Sequence, residues 1–90
     1  MADEFEWDAT KAAANLAKHE VSFEMAREVF NDQLAVDWLE GHEEGEERFN
    51  VLGMVNNRLL LVVYTMRNGT IRIISARPAT PYEKRLYHEG

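Results

Sequence analysis

Residues 64–83, YTMRNGTIRIISARPATPYE, hold a turn, a strand and a helix start in one short stretch. Asn68-Gly69 is a strong hairpin signal, because a type I′ turn asks for positive φ at both central residues. The Leu- and Val-rich run Leu59–Met66 leads into it, and Thr70–Ala76 returns as its partner strand. Thr80-Pro81-Tyr82-Glu83 then supplies an N-cap, a proline at the first helical position and a glutamate at N3. That combination predicts a helix from Pro81 towards His88.

Working upstream, Asn56-Asn57 reads as a second two-residue turn after a strand over Arg48–Met54. Leu34–Glu40 alternates enough for a further strand, with GHEEGEE (41–47) as a polar, flexible connection. Before that the period changes. Phe5-Glu6-Trp7 is a short strand-like piece, and Asp8 caps a helix from Ala9 to about His19. Ser22 caps a second helix, whose Phe23, Ala26, Val29 and Phe30 form an apolar stripe ended by Asn31-Asp32. The expected fold is α+β: two N-terminal helices packed on a three- or four-stranded antiparallel sheet, then a C-terminal helix, in a single domain over 1–90.

The charge is unevenly spread. The whole chain carries −6, yet residues 1–50 hold fourteen acids against four Lys/Arg and residues 51–90 two against six, net −10 and +4. At 46% hydrophobic and 29% charged the chain reads as globular. It has no cysteine, which excludes a disulfide framework, a thiolate metal site and a cysteine nucleophile, and suits a reducing cytoplasm. The start, MADEFEWDAT, is acidic without an apolar core, so no secretory signal is expected there. The longest apolar run, Leu59–Tyr64, is far too short to span a membrane. No phosphate-cradling glycine loop, GxSxG, HExxH or CxxC occurs, so the chemistry has to rest on basic and aromatic side chains without a cofactor.

The turns predict which cations meet. Closing at Asn68-Gly69 sets Arg67 opposite Thr70, Thr65 opposite Arg72 and Val63 opposite Ile74. Closing at Asn56-Asn57 sets Arg58 opposite Val55, Val51 opposite Val62 and Arg48 opposite Thr65. Arg48, Thr65 and Arg72 then form one row, with the arginines about 10 Å apart, and Arg67 sits two residues further along the same face. Guanidinium groups suit phosphate oxygens, although exposed strand arginines also serve solubility or pair with acids. Strict alternation turns Arg77 to the other face unless the strand bulges near Ser75-Ala76. Lys18 and His19 end the first helix, where a cation favours the helix dipole, and the His19 imidazole is a candidate to move a proton or a helix-end histidine with no task. Trp7 offers a face for a base or anchors the core. Tyr82 and Tyr87 are candidate phosphate donors or cover for a sheet edge. The acids around His42 lack metal-ligand spacing.

FEWDATKAAANLAKHEVSFEMAREVF (5–30), GEERF (45–49) and IRIISARPATPYEKRLY (71–87) together resemble the BrnT family of toxins from bacterial type II toxin–antitoxin pairs. The resemblance implies a RelE-like small ribonuclease fold and metal-independent RNA cleavage that inhibits translation. It also implies a ribbon-helix-helix antitoxin that blocks the toxin and binds DNA, so DNA is reached only through that partner. The family's basic and aromatic positions fall on Trp7, Lys18, His19, Arg48, Arg67 and Arg77. Where the family usually has glycine after Lys-His, this chain has Glu20. A second reading is a catalytically weak or inactive protein-binding module, its acidic half attracting a basic partner. A third is a plain nucleic-acid binder using the arginine face.

Overall fold

The structure is a computed structural model, in which residues 4–43 and 45–89 are described. Met1 to Asp3 of the acidic start and Glu44 of the acidic connection lie outside them. Among the described residues the elements run β1 (Phe5–Glu6), α1 (Ala9–His19), α2 (Phe23–Ala26), a 3-10 segment (Arg27–Asn31), β2 (Val36–Glu43), β3 (Glu46–Val55), β4 (Arg58–Arg67), β5 (Thr70–Pro78) and α3 (Pro81–Glu89). They form a sheet of order β1-β5-β4-β3-β2.

That arrangement corrects the expected architecture, while the α+β class stands. The sheet has five strands and is mixed, because Phe5 and Glu6 pair in parallel with Ile71 and Arg72 of β5. A two-residue strand carries no periodicity of its own, so only its distant partner defines it. The second N-terminal helix is also shorter than its stripe suggested. It is α-helical for one turn and then tightens to 3-10. Phe23, Ala26 and Val29, all fully buried, are spaced by three, and side chains at i and i+3 eclipse on a 3-10 helix. The connection at 41–47 is largely strand, with β2 running to Glu43 and β3 starting at Glu46 around Gly45 at φ 82°. Both two-residue turns are as read: Asn56 and Asn57 have φ 50° and 67°, Asn68 and Gly69 53° and 81°.

One sheet face carries the core. Val51, Val55, Leu60, Val62, Tyr64, Ile71, Ile73 and Ala76 pack with Val21, Phe23, Ala26 and Val29 from the helical side. Gly53 lets the 3-10 segment approach the sheet, since a Cβ there would stand 2.9 Å from the Val29 carbonyl oxygen and 2.5 Å from its Cγ1. The second face carries Asn50, Leu52 and Met54 of β3 opposite Val63, Leu61 and Leu59 of β4. At its Leu52–Leu61 end α3 packs against β3 and the leucines are buried.

The outer edge of β5 is finished by a side chain. Among the described residues β1 covers it at Ile71 and Arg72. Beyond that, Asn15 of α1 donates from Nδ2 to the Ala76 carbonyl (2.8 Å) and the Val21 carbonyl (2.9 Å), and its Oδ1 accepts from the Ala76 N–H (3.1 Å). Its carboxamide thus mimics a strand at one residue of the edge, where an open backbone pair would be left unsatisfied in the interior. Asn15→Ala should cost about 3 kcal/mol in urea unfolding, because three buried backbone groups lose their partners at once.

Glu20 ends α1 at φ 59°, its N–H donating to the Leu16 carbonyl at 2.9 Å. A side chain in this left-handed region is strained, which is why glycine is usual at such ends. Glu20→Gly should therefore stabilise the protein by roughly 0.5–1 kcal/mol, the relief of strain exceeding the entropy added to the unfolded chain. A rise in the urea midpoint without a change in slope would register it.

Candidate functional site

A bulge decides which arginines share a face. Thr65 stands opposite Arg72 and Arg67 opposite Thr70, as the hairpin turn requires, but Tyr64 opposes Ile73 while Val63 opposes Ser75. Ile74 is the extra residue, so the expected Val63–Ile74 pairing is replaced by Val63–Ser75. Past the bulge the alternation is inverted. Ile73 and Ala76 both enter the core, whereas Arg72, Ser75 and Arg77 all point to the second face. Arg77 thereby joins the face of Arg72, which unbroken alternation denied it.

At the turn end of that face Arg48, Arg67 and Arg72 line one cleft with Lys11, Thr65, Glu46 and Ile74, a cavity of about 80 Å³. The three arginines come from β3, β4 and β5, so the sheet itself sets their spacing. Thr65, at 2% exposure, donates to the Glu47 carbonyl at 2.6 Å and ties β4 to β3 beneath them. Lys11 arrives from α1, whose first turn is fixed by Asp8 accepting from the Lys11 N–H at 3.0 Å.

Carboxylates hold these cations in position. Glu46 accepts from Arg67 Nε at 2.6 Å and from Nη2 at 3.0 Å, in a two-pronged pair on the cleft wall. The Arg67 hydrogen bond is the main reason that the Glu46 carboxyl is held below its usual range, so it is ionised at neutral pH. Arg72 Nη1 donates to Glu6 of β1 at 3.0 Å.

The other sequence candidates lie elsewhere. Arg77 is gripped by Glu83 of α3 through two bonds of 2.9 Å. Glu83 also accepts from the Thr80 N–H while Thr80 Oγ1 accepts from the Glu83 N–H, the reciprocal capping box the sequence displayed. Arg77 therefore anchors the start of α3. Lys18 and His19 do not line the cleft; they are seven and eight residues along α1 from Lys11, about 11–12 Å at 1.5 Å per residue. Trp7 packs edge-on against Phe23, ring centres 5.9 Å apart, beside the core. Tyr82 is exposed with the Arg85 guanidinium 5.8 Å above its ring. Tyr87 donates to Asp32 at 2.5 Å, which raises its hydroxyl pKa and fastens α3 to the loop before β2. Among the described residues no three His, Asp or Glu side chains converge as a metal site, and no helix is long and apolar enough to cross a membrane.

Sequence reasoning passed over Lys11 and Glu46 as cleft residues. The available signal for Lys11 was its place three residues after the cap that follows β1, which puts it beside Arg72. For Glu46 it was the two-residue offset from Arg48, the spacing of one strand face.

The class defined by this fold and cleft is a small α+β protein that gathers guanidinium groups on an open sheet face. Comparison with family models gives the particular family: the model of the ribonuclease toxin BrnT, of type II toxin–antitoxin systems, matches residues 7–83, and the chain belongs to that family. It is accordingly a ribonuclease toxin of such a pair, with a cognate antitoxin as partner. A comparison with curated proteins gives no match.

The Arg77–Glu83 pair gives a pH test of the anchoring role. The Arg77 hydrogen bonds hold the Glu83 carboxyl below its ordinary 4.5, outweighing burial, so its stabilisation is complete above about pH 4.5 and is lost as pH falls through the lowered value. Urea unfolding should show Glu83→Gln clearly less stable than the parent at pH 7, with the gap closing below pH 4.5. An unchanged gap at pH 3 would mean that the charge of Glu83 contributes nothing.

Proposed function

We propose that the cleft lined by Arg48, Arg67, Arg72 and Lys11 holds the scissile phosphate of an RNA strand, which the protein cleaves by internal transesterification without a metal ion. The observation that carries this reading is the convergence of those four cations on one open cavity from β3, β4, β5 and α1. Single-stranded RNA supplies its own nucleophile. The 2′-oxygen forms a bond to phosphorus, the bond from phosphorus to the 5′-oxygen breaks, and the products are a 2′,3′-cyclic phosphate and a free 5′-hydroxyl. The protein has to take one proton from the 2′-hydroxyl, return one to the leaving oxygen, and stabilise the charge gathering on the phosphoryl oxygens.

Each task has a resident in the cleft. Arg72 opposite Thr65, and Arg48 lining the same cleft from β3, hold the phosphoryl oxygens in a fixed fork geometry. Glu46, ionised and next to Arg67, accepts the 2′-hydroxyl proton. Lys11 is the ammonium placed to donate to the leaving oxygen, in preference to Lys18 or His19 further down α1. Arg67 keeps Glu46 deprotonated and adds its charge to the phosphate site. Trp7, Tyr82, Tyr87 and Arg77 serve packing and the seating of α3 in this reading. The consequence in the cell is loss of message and of translation in the cytoplasm, relieved by a DNA-binding antitoxin of the ribbon-helix-helix kind.

Arg48→Ala should lower the cleavage rate of a single-stranded RNA by about 100- to 1,000-fold, the loss found when one preorganised donor to a developing oxyanion is removed. Cleavage by the parent should persist in EDTA, with the cyclic phosphate as the first product. Arg77→Ala should lower thermal stability and leave the rate of the folded fraction close to the parent's. Full activity in Arg48→Ala would sink the reading. Harmless expression without the antitoxin, and intact RNA with the parent protein, would identify a protein-binding module instead.

A further inference from the structure

A second cationic site lies at the opposite end of β4. Met54, Asn57, Arg58, Leu59, Pro78, Ala79, Lys84 and His88 line a depression of about 390 Å³ between the β3–β4 turn and α3. That volume lies within the range of small ligand and side-chain pockets, roughly 300–1,000 Å³. Lys84 and His88 are four residues apart on one face of α3, and Arg58, the first residue of β4, lines the depression at the turn, with its guanidinium reaching towards the Met25 sulfur. None of the lining residues is acidic.

That last feature is unusual in this molecule. The chain carries sixteen acids, and Arg67, Arg72 and Arg77 each have a glutamate partner. Arg58, Lys84 and His88 form no ion pair among the described residues; the side-chain hydrogen bond of Arg58 goes to the Met25 sulfur at 3.6 Å. All three are exposed. Arg58 and Lys84, two cations without a carboxylate partner among the described residues of an acidic protein, leave a place where an outside carboxylate can pair.

The rest of the lining indicates what kind of chain brings it. Met54, Leu59, Pro78 and Ala79 make an apolar floor, and no Phe, Tyr or Trp is present to stack a base. A nucleic-acid backbone would use the charges and leave the floor bare. A peptide with acidic and aliphatic side chains side by side uses both, because the aliphatic group is buried while the carboxylate stays at the partly hydrated rim.

We infer that this depression is a docking site for an acidic, aliphatic segment of the cognate antitoxin, separate from the cleft assigned to RNA. The inference rests on the toxin–antitoxin membership and not on the cleavage mechanism, so the two are tested apart. Purified toxin carrying Arg58→Glu and Lys84→Glu is titrated with purified antitoxin by calorimetry at low and high salt, and its cleavage of a single-stranded RNA is followed in parallel. The antitoxin Kd should rise by about tenfold or more at low salt, with the difference shrinking as salt screens the charges. RNA cleavage and the urea midpoint should match those of the parent. The neutral pair Arg58→Gln and Lys84→Gln should give a smaller loss of the same kind, and it provides the measurement if charge reversal impairs folding. An antitoxin Kd unchanged in both variants overturns the inference. So does unchanged antitoxin affinity with weakened RNA cleavage, which would assign the depression to the RNA backbone.

Discussion

The side chain of Asn15 stands where a strand would otherwise be needed. The sheet ends at β5, and the two residues of β1 cover too little of that edge to protect it. A helix cannot continue a ladder, since its own backbone groups are already paired. One carboxamide, offering a donor and an acceptor side by side, can meet the N–H and C=O of Ala76, and it does so from the middle of α1. That choice locks α1 along β5. Lys11, one turn earlier, is carried to the cleft; Lys18 and His19, one turn later, are carried away from it. The position of every α1 side chain relative to the cations of the sheet follows from this contact. It falls two residues past the bulge at Ile74, so the edge is pinned where the strand changes phase.

An acidic protein that presents a cationic cleft has to reconcile two length scales. Charges separated by more than about 8 Å at physiological salt are largely screened, so the overall −6 has little say over a ligand already in contact. Within contact range the lining holds three guanidinium groups and an ammonium against one carboxylate, a local excess of three positive charges. The excess of acids slows the approach of any anionic ligand, whereas the lining governs the contact itself. Glu46 and Glu6 also restrain Arg67 and Arg72 before any ligand is present. These pairs are partly exposed and therefore weak contributors to stability, but they limit the rotamer freedom that a phosphate would otherwise have to remove.

Much of this was open to reading from the sequence where the signal was local. Asn-Asn, Asn-Gly and Thr-Pro-Tyr-Glu each specify a backbone conformation through neighbouring atoms, and from them came both hairpins, the pairing of Thr65 with Arg72, and the capped α3. What escaped depended on contacts distant in sequence. β1 exists only because Ile71 and Arg72, some sixty-five residues later, present an edge to it. The 3-10 segment was foreshadowed by the spacing of Phe23, Ala26 and Val29, but a period of three over seven residues is hard to tell from 3.6. The bulge left no composition cue at Ile-Ile-Ser. Arg77 could not be assigned to a face without it, and once assigned it proved to be held by Glu83. His19 was a candidate because it is an imidazole, a property of the residue and not of its place.

The two cationic sites lie towards opposite ends of β4. Along β4, Thr65 at the cleft and Leu59 at the far depression are six residues apart, about 20 Å at 3.3 Å per residue. A peptide seated between Arg58 and Lys84 would need about six more extended residues to reach Arg48. Between the two sites Leu61 is buried where α3 packs, and the half-buried Val63 and Ser75 follow it towards the cleft. Neutralisation by obstruction of the cleft and attachment at the depression are thus separable demands on an antitoxin. An anchor outside the cleft lets the obstructing segment bind as an intramolecular event, at an effective concentration set by that short tether. If the cleft takes RNA as proposed, a partner can hold the toxin tightly while making its strongest charge contacts elsewhere.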